Sequence, residues 1–197
     1  MSNDEHIDGR IARGIRTRQA IVEAHTELVR EGVLRPTAQR VADRAGVSVR
    51  TVWTGFADLE ALLRATTQRW LDLDAELWQP VDPALPMSER IDLFCNRRVA
   101  RVEHLEPAAR SSVLGEPFSP ALRKARREHV ERLRVDLEHT FGPEIGRRTD
   151  HPAVHDELYV MAAWPVWKIL TIELGMTRDA ALQTTTNGFR RVLHEFL

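Results

Sequence analysis

Apolar positions along this chain recur at steps of three and four, and no segment of any length alternates apolar with polar. Ile21, Ala24 and Leu28 predict a first helix over 17–31, with Gly32 placed to cap its C-terminus. Residues 1–12 are polar, have Gly9 and Gly14 in or beside them, and read as an arm ahead of that helix. Thr37 is an N-cap for a second helix whose small face is Val41, Ala42 and Ala45, and Gly46 breaks it. Ser48 caps a short third helix over 49–54, ended by Gly55. Asp58 opens a fourth that runs to about residue 78, with the stripe Leu59, Leu63, Thr66, Trp70, Leu73 and Leu77. Pro80, Pro83 and Pro86 make a loop. Beyond it the pattern predicts a fifth helix over 88–105, a short sixth from Pro107 to near Gly115, and a seventh over 120–141 stopped by Gly142-Pro143. An eighth runs over 152–175, with Pro152 in its first turn, and a ninth runs from near Thr177 almost to Leu197. The fold class is therefore all-α, with about nine helices and no internal repeat.

Composition changes this picture little. Hydrophobic residues make up 43% of the 197, enough for a folded core. The lone Cys95 excludes an internal disulfide framework and a cysteine-based zinc finger, and reads as a small buried hydrophobe. No apolar run reaches membrane-spanning length, and the polar start lacks a secretory leader, so no membrane partner and a cytoplasmic location are expected. Charge is more informative. The net charge is −1, yet residues 10–56 hold nine Arg and no Lys against Glu23, Glu27, Glu31 and Asp43, a local excess of +5. A basic end on an otherwise acidic chain is an electrostatic footprint for a polyanion.

The stretch Thr37–Phe56 has the makings of a helix-turn-helix. Two short helices are joined at Gly46-Val47-Ser48, with small residues where they must approach and Gly46 where the backbone must reverse. In such a motif the second helix enters the major groove of DNA. Its residues suit that task. Arg50 can bond a guanine edge or a phosphate, and Thr51 and Thr54 can donate to phosphate or touch a thymine methyl. Trp53 can pack on a sugar while its N–H reaches a phosphate. Ser48 and Val49 stand at the helix N-terminus, where free backbone N–H groups favour a phosphate. Arg16, with Arg13 and Arg18, can reach the backbone beside the groove.

At these residues the chain resembles the tetracycline-repressor-like (TetR) family of transcription regulators. Thr37, Val41-Ala42, Ala45-Gly46-Val47-Ser48, Thr51, Trp53, Phe56 and Leu62 stand at the spacings of that family's N-terminal motif, a likeness covering about residues 17–63. Three positions depart from it: Leu59 replaces a Lys that supports phosphate contact, Trp53 replaces Tyr, and His25 replaces a small apolar residue. The resemblance implies a DNA-binding domain of three helices at 1–57, with Thr37 among its contacts, and a helical ligand-binding and dimerisation domain at 58–197. It implies a homodimeric regulator, most often a repressor, that reads a pseudo-palindromic double-stranded operator through two recognition helices about one DNA turn apart. A small apolar or amphipathic effector would release it by favouring a state that misfits the operator, with helix four as the lever. No cofactor and no catalytic residue are implied.

The C-terminal part supplies candidates for both remaining roles. Helix eight is apolar on two sides, one stripe running through Val154, Leu158, Met161, Pro165, Ile169 and Ile172. The resemblance pairs helices eight and nine with a second copy, giving Leu158, Met161, Ile169, Phe189, Val192 and Phe196 as expected interface residues. Pro165 should kink helix eight between Trp164 and Trp167. Such a kink can shape an apolar pocket with Trp70, Phe94 and His104, and Trp78 can join them. His151 and His155, four apart beside acidic residues, read as first-turn surface residues, so no metal is expected. Two rival readings stay open. One is a dimeric DNA-binding regulator without a ligand. The other is a helical small-molecule-binding protein or enzyme with a vestigial helix-turn-helix.

Overall fold

The computed structural model describes residues 2–147 and 150–197, and among these every regular element is helical. In chain order they are α1 (Ser2–Arg30), α2 (Ala38–Ala45), α3 (Val49–Gly55), α4 (Leu59–Leu77), α5 (Met87–Gly115), α6 (Pro120–Ile145), α7 (His151–Ala162), α8 (Trp164–Lys168) and α9 (Arg178–Val192). Short 3-10 turns lie at Glu116–Phe118 and His194–Phe196, and a π-turn at Ile169–Glu173.

Four helices differ from the sequence expectation, the smallest change being in α6, which runs through Gly142-Pro143 to Ile145 where a stop was expected. α1 continues back through the residues read as an arm, since Gly9 and Gly14 each cost a helix only about 1 kcal/mol and no proline interrupts it. α5 runs through Pro107 where two helices were expected: proline's fixed φ is helical, and its missing N–H removes a single backbone bond. The predicted helix eight is instead three elements. Ala163 is extended (φ −79°, ψ 142°) as the N-cap of α8, which restarts with proline in its first turn. The break thus falls two residues before the expected kink. The Ala162 carbonyl that it releases accepts a hydrogen bond from Arg98 Nε at 2.8 Å.

The chain forms two compact units, neither of which is one continuous segment. The first comprises residues 1–73 and 107–126, and the second 74–106 and 127–197. A boundary at 57/58 falls inside the first unit, because Leu62 of α4 shares a core with Ile21, Ala24 and Leu28 of α1, Val41 and Ala42 of α2, and Val52 and Phe56. Side-chain hydrogen bonds tie the later segment to the earlier one: Ser111 Oγ donates to the Leu34 carbonyl at 2.7 Å, and the Ala121 N–H donates to Glu60 Oε2 at 3.1 Å. The second unit has a larger core. Phe94, Phe141 and Phe189 form a triangle with ring centroids 5.4–5.9 Å apart, surrounded by Ile91, Leu133, Leu137, Leu158 and Leu193. α7 packs on α9 so closely at Gly188 that a Cβ there would overlap the Met161 sulfur.

Candidate nucleic-acid interface

Local capping fixes the geometry of α2 and α3. Thr37 is extended and its Oγ1 accepts the Arg40 N–H at 3.3 Å, which starts α2. Gly46 ends α2 in the left-handed region (φ +66°), where a side chain would be strained, and the Val47 N–H returns to the Ala42 carbonyl at 3.0 Å. Ser48 starts α3: its Oγ accepts the Thr51 N–H at 3.1 Å and lies 2.8 Å from Thr51 Oγ1. The helical period then sorts the residues. Val52 and Phe56 are buried, Val49 and Thr51 are half-buried, and Arg50, Trp53 and Thr54 face solvent. Trp53 keeps 40% of its surface exposed, and Thr54 Oγ1 donates to the Arg50 carbonyl at 2.9 Å. α3 therefore offers an open face of a guanidinium, an indole and a hydroxyl over an apolar underside. Arg16 on α1 and Thr37 at the start of α2 are also exposed.

The basic excess of this region is only partly available. Arg44 is clamped by Glu31 (2.7 and 2.8 Å) and Glu27 (3.3 Å), and its hydrogen bond holds the Glu31 carboxyl below its ordinary pKa. Arg69 pairs with Glu23 at 3.0 Å. Arg18 donates to the Gly55 carbonyl and lays its guanidinium 4.0 Å from the centre of the Phe56 ring, so it secures the end of α3. The side chain of Arg10 lies outside the described residues.

The departures from the motif can now be placed. Leu59, the first residue of α4, is 55% exposed. His25 is buried, its Nδ1 has no hydrogen-bond partner, and burial lowers its pKa to about 4, so it is held neutral inside the small core.

Neither the family models nor the curated proteins give a match to this sequence. Solved structures do match the fold. A candidate TetR-family transcriptional regulator from Mesorhizobium loti MAFF303099 superposes with a TM-score of 0.67 at 19% identity, over 93% of this chain and 98% of that one. A TetR transcription regulator from Haloarcula marismortui ATCC 43049 gives 0.65 at 19% identity, over 92% and 98%. A transcriptional regulator from Rhodococcus sp. Rha1 gives 0.62 at 15% identity, over 90% and 96%.

The chain has the TetR-family fold.

Of the five residues expected around a ligand, Trp70 belongs to the first unit, where it is buried with the Arg30 guanidinium 5.5 Å from its ring. Phe94 is part of the aromatic triangle, His104 is half-buried on α5, and Trp164 and Trp167 are buried on α8. Of the six expected at a dimer interface, Leu158 and Phe189 are 0% exposed within one chain, because the core of the second unit takes their side chains. They cannot meet a partner. Met161, Val192 and Phe196 are half-buried, and Ile169 is 42% exposed beside exposed Ile172 and Leu174. His155 sits near Arg134, with Nε2 3.3 Å from the Arg134 carbonyl, and the side chain of His151 lies outside the described residues. Among the described residues no cluster of His, Cys, Asp or Glu is arranged to hold a metal, and no helix is long and apolar enough to cross a membrane.

What sequence reasoning missed is a cavity of about 280 Å³ in the second unit, lined by Asp74, Ala75, Trp78, Arg101, Glu131, Arg132, Val135 and Asp136. None of the five expected ligand residues lines it, although Trp78, expected to join them, does. Its floor is an ion-pair triad. Arg101 grips Asp74 with Nε and Nη2 (2.7 and 2.9 Å) and reaches Asp136 with Nη1 (3.0 Å). The Trp78 indole N–H donates to the other oxygen of Asp136 at 3.0 Å. Burial alone would raise the Asp74 carboxyl, but the hydrogen bonds and charge of Arg101 outweigh it and hold it below its ordinary value. Arg98 lies deeper. Burial, then the neighbouring Arg101 charge, pushes its pKa down to about 10. Its Nη2 lies 3.3 Å from His129 Nε2. One signal in the sequence did point here. Asp74 continues the four-residue step of buried Leu62, Thr66 and Trp70 along α4, and Arg98 and Arg101 keep the phase of Ile91 and Phe94 along α5. Charges in step with an apolar stripe mark a buried polar network.

Proposed function

We propose that this protein is a sequence-specific, DNA-binding transcriptional regulator that acts as a homodimer on a pseudo-palindromic operator, as a repressor released by a small ligand. The open face of α3, with Arg50, Trp53 and Thr54 projecting from a capped and buried underside, carries this reading. Arg50 reads a guanine edge or holds a phosphate. Thr54, with half-buried Val49 and Thr51, lies against base edges and sugars. Thr37, already accepting a backbone N–H, keeps a hydroxyl proton to donate to phosphate, and the bonded hydroxyl pair of Ser48 and Thr51 keeps one between them. Trp53 packs on the DNA backbone, and Arg16 reaches the flanking strand. The second copy docks on Ile169, Ile172 and Leu174 with Met161, Val192 and Phe196 beneath. An effector acts through the second unit, and it shifts the population only by binding one state more tightly than the other. The cavity favours a ligand-controlled regulator over one without a ligand. The reading assigns the protein no cofactor and no catalytic step, and it places the protein in the cytoplasm with the DNA.

The test is selection of bound duplexes from a random pool at a stated salt concentration near physiological. Enrichment of an inverted repeat is the expected result. Salt-sensitive background binding with no enriched sequence would overturn the proposal.

A further inference from the structure

The cavity beside the Asp74–Arg101–Asp136 triad has polar walls in name and apolar walls in effect. Both oxygens of Asp74 are occupied by Arg101, and those of Asp136 by Arg101 and the Trp78 indole. Two buried carboxylates, Asp74 and Asp136, face two buried guanidiniums, Arg98 and Arg101. Arg98 Nη2 also lies 3.3 Å from His129 Nε2. Glu131 and Arg132 add one charge of each sign to the lining. The set is balanced. A ligand bearing a net charge would enter a partly desolvated space whose charged groups sum to zero and do not offset it, which is costly.

What remains for a ligand to touch is the Trp78 ring, Ala75, Val135 and the aliphatic stems of Glu131 and Arg132. Trp78 and Val135 are 42% and 58% exposed, so both are open to a ligand. The indole is not loose, because its N–H is anchored on Asp136, so its flat face is oriented before anything binds. A dry apolar cavity of roughly 150 Å³ holds a single benzene ring. A volume of about 280 Å³ suits two fused rings.

We infer that this cavity binds an uncharged, flat, two-ring aromatic molecule stacked on Trp78. The inference rests on the ligand-controlled reading above only for its regulatory meaning; the binding itself can be measured without DNA. Three matched probes separate the chemistries: 2-naphthol, 2-naphthoate and 2-naphthylmethylammonium, each titrated calorimetrically against the full chain near neutral pH. The neutral probe should bind at least tenfold more tightly than either ion. Ala75→Trp, at an exposed lining position, should fill the cavity and weaken 2-naphthol at least tenfold while leaving the melting temperature nearly unchanged. Val135→Trp, at another exposed lining position, is a second filling variant should the first fold poorly. Equal or tighter binding of an ion, no saturable binding of 2-naphthol, or full binding by a folded filled variant would each overturn the inference. An enriched operator with no naphthol binding would sink this inference alone. Naphthol binding as described without an enriched operator would sink the regulator instead.

Discussion

In the first unit the charged side chains stand at the surface. Arg44 meets Glu27 and Glu31 there, Arg69 meets Glu23, and Arg16 and Arg50 face solvent. The core beneath is small and aliphatic except for Phe56, and a neutral His25 is its buried ionisable side chain among the described residues. In the second unit charges are drawn inside. Arg101 bridges Asp74 and Asp136, Arg90 grips Glu144 at 2.6 and 2.9 Å, and Arg98 caps a broken helix. Surface pairs contribute little to stability, and the unpaired face of Arg16 and Arg50 beside them is open to solvent. Buried networks hold a shape, and removing one member leaves another stranded. One unit is thus organised for contact and the other for enclosure.

The largest effect should come from breaking an enclosed network. Arg101→Met strands two buried carboxylates and should cost about 3–5 kcal/mol, read by denaturant unfolding. Adding Asp74→Leu and Asp136→Leu should recover much of that loss. If Arg101→Met costs no more than a surface substitution, the contrast between the units fails.

Acid should separate the two units next. The folded-state pKa of His25, about 4, lies below its ordinary 6.5. Its neutral form is favoured by folding, so the stability it contributes is complete above pH 6.5 and falls as pH drops toward 4. That window is worth about 3 kcal/mol. Asp74 and Glu144 are lowered carboxyls, the latter by its hydrogen bonds with Arg90, so their contribution persists below that window and is lost only as pH falls through and below their ordinary values near 4. Amide exchange in α1–α3 should therefore accelerate at a pH where α5 and α6 are still protected. His25→Leu should flatten the first dependence and leave the second.

A smaller effect belongs to the contact face. Arg50→Ala should weaken operator binding by about 1–3 kcal/mol with folding stability unchanged. Arg44→Ala, which removes a residue already engaged by Glu31, should affect binding much less. Equal losses would mean that α3 is not the reading helix. Smallest of all, Gly46→Ala places a side chain at φ +66° and should destabilise the first unit by about 1 kcal/mol, seen as a lower melting temperature.

The same contrast explains what could be read in advance. Thr37, Gly46, Ser48, Val52 and Phe56 act on residues a few positions away, through caps, a turn and one helical face, so their arrangement is legible in a single stretch of chain. Asp74, Arg101 and Asp136 come together from three helices, and only their phase within apolar stripes hints at it. The resemblance puts Leu158 and Phe189 at an interface by giving their helices partners in a second copy. The aromatic triangle and α9 supplied those partners within the chain. The Ala163 break was half legible: Pro165 announced it, but its place depended on the residues before the proline, and Arg98 stabilises it from 64 positions away.

The discontinuity of the first unit has a practical consequence for engineering. Because residues 107–126 complete a body begun by residues 1–73, α1–α3 cannot be transplanted as one N-terminal cassette. A chimera joined at residue 57 would carry α1–α3 away from Leu62 and from the Ser111 donor, and leave the recipient with a matching vacancy. Working hybrids should need two exchanged segments, with three junctions near residues 73, 106 and 126.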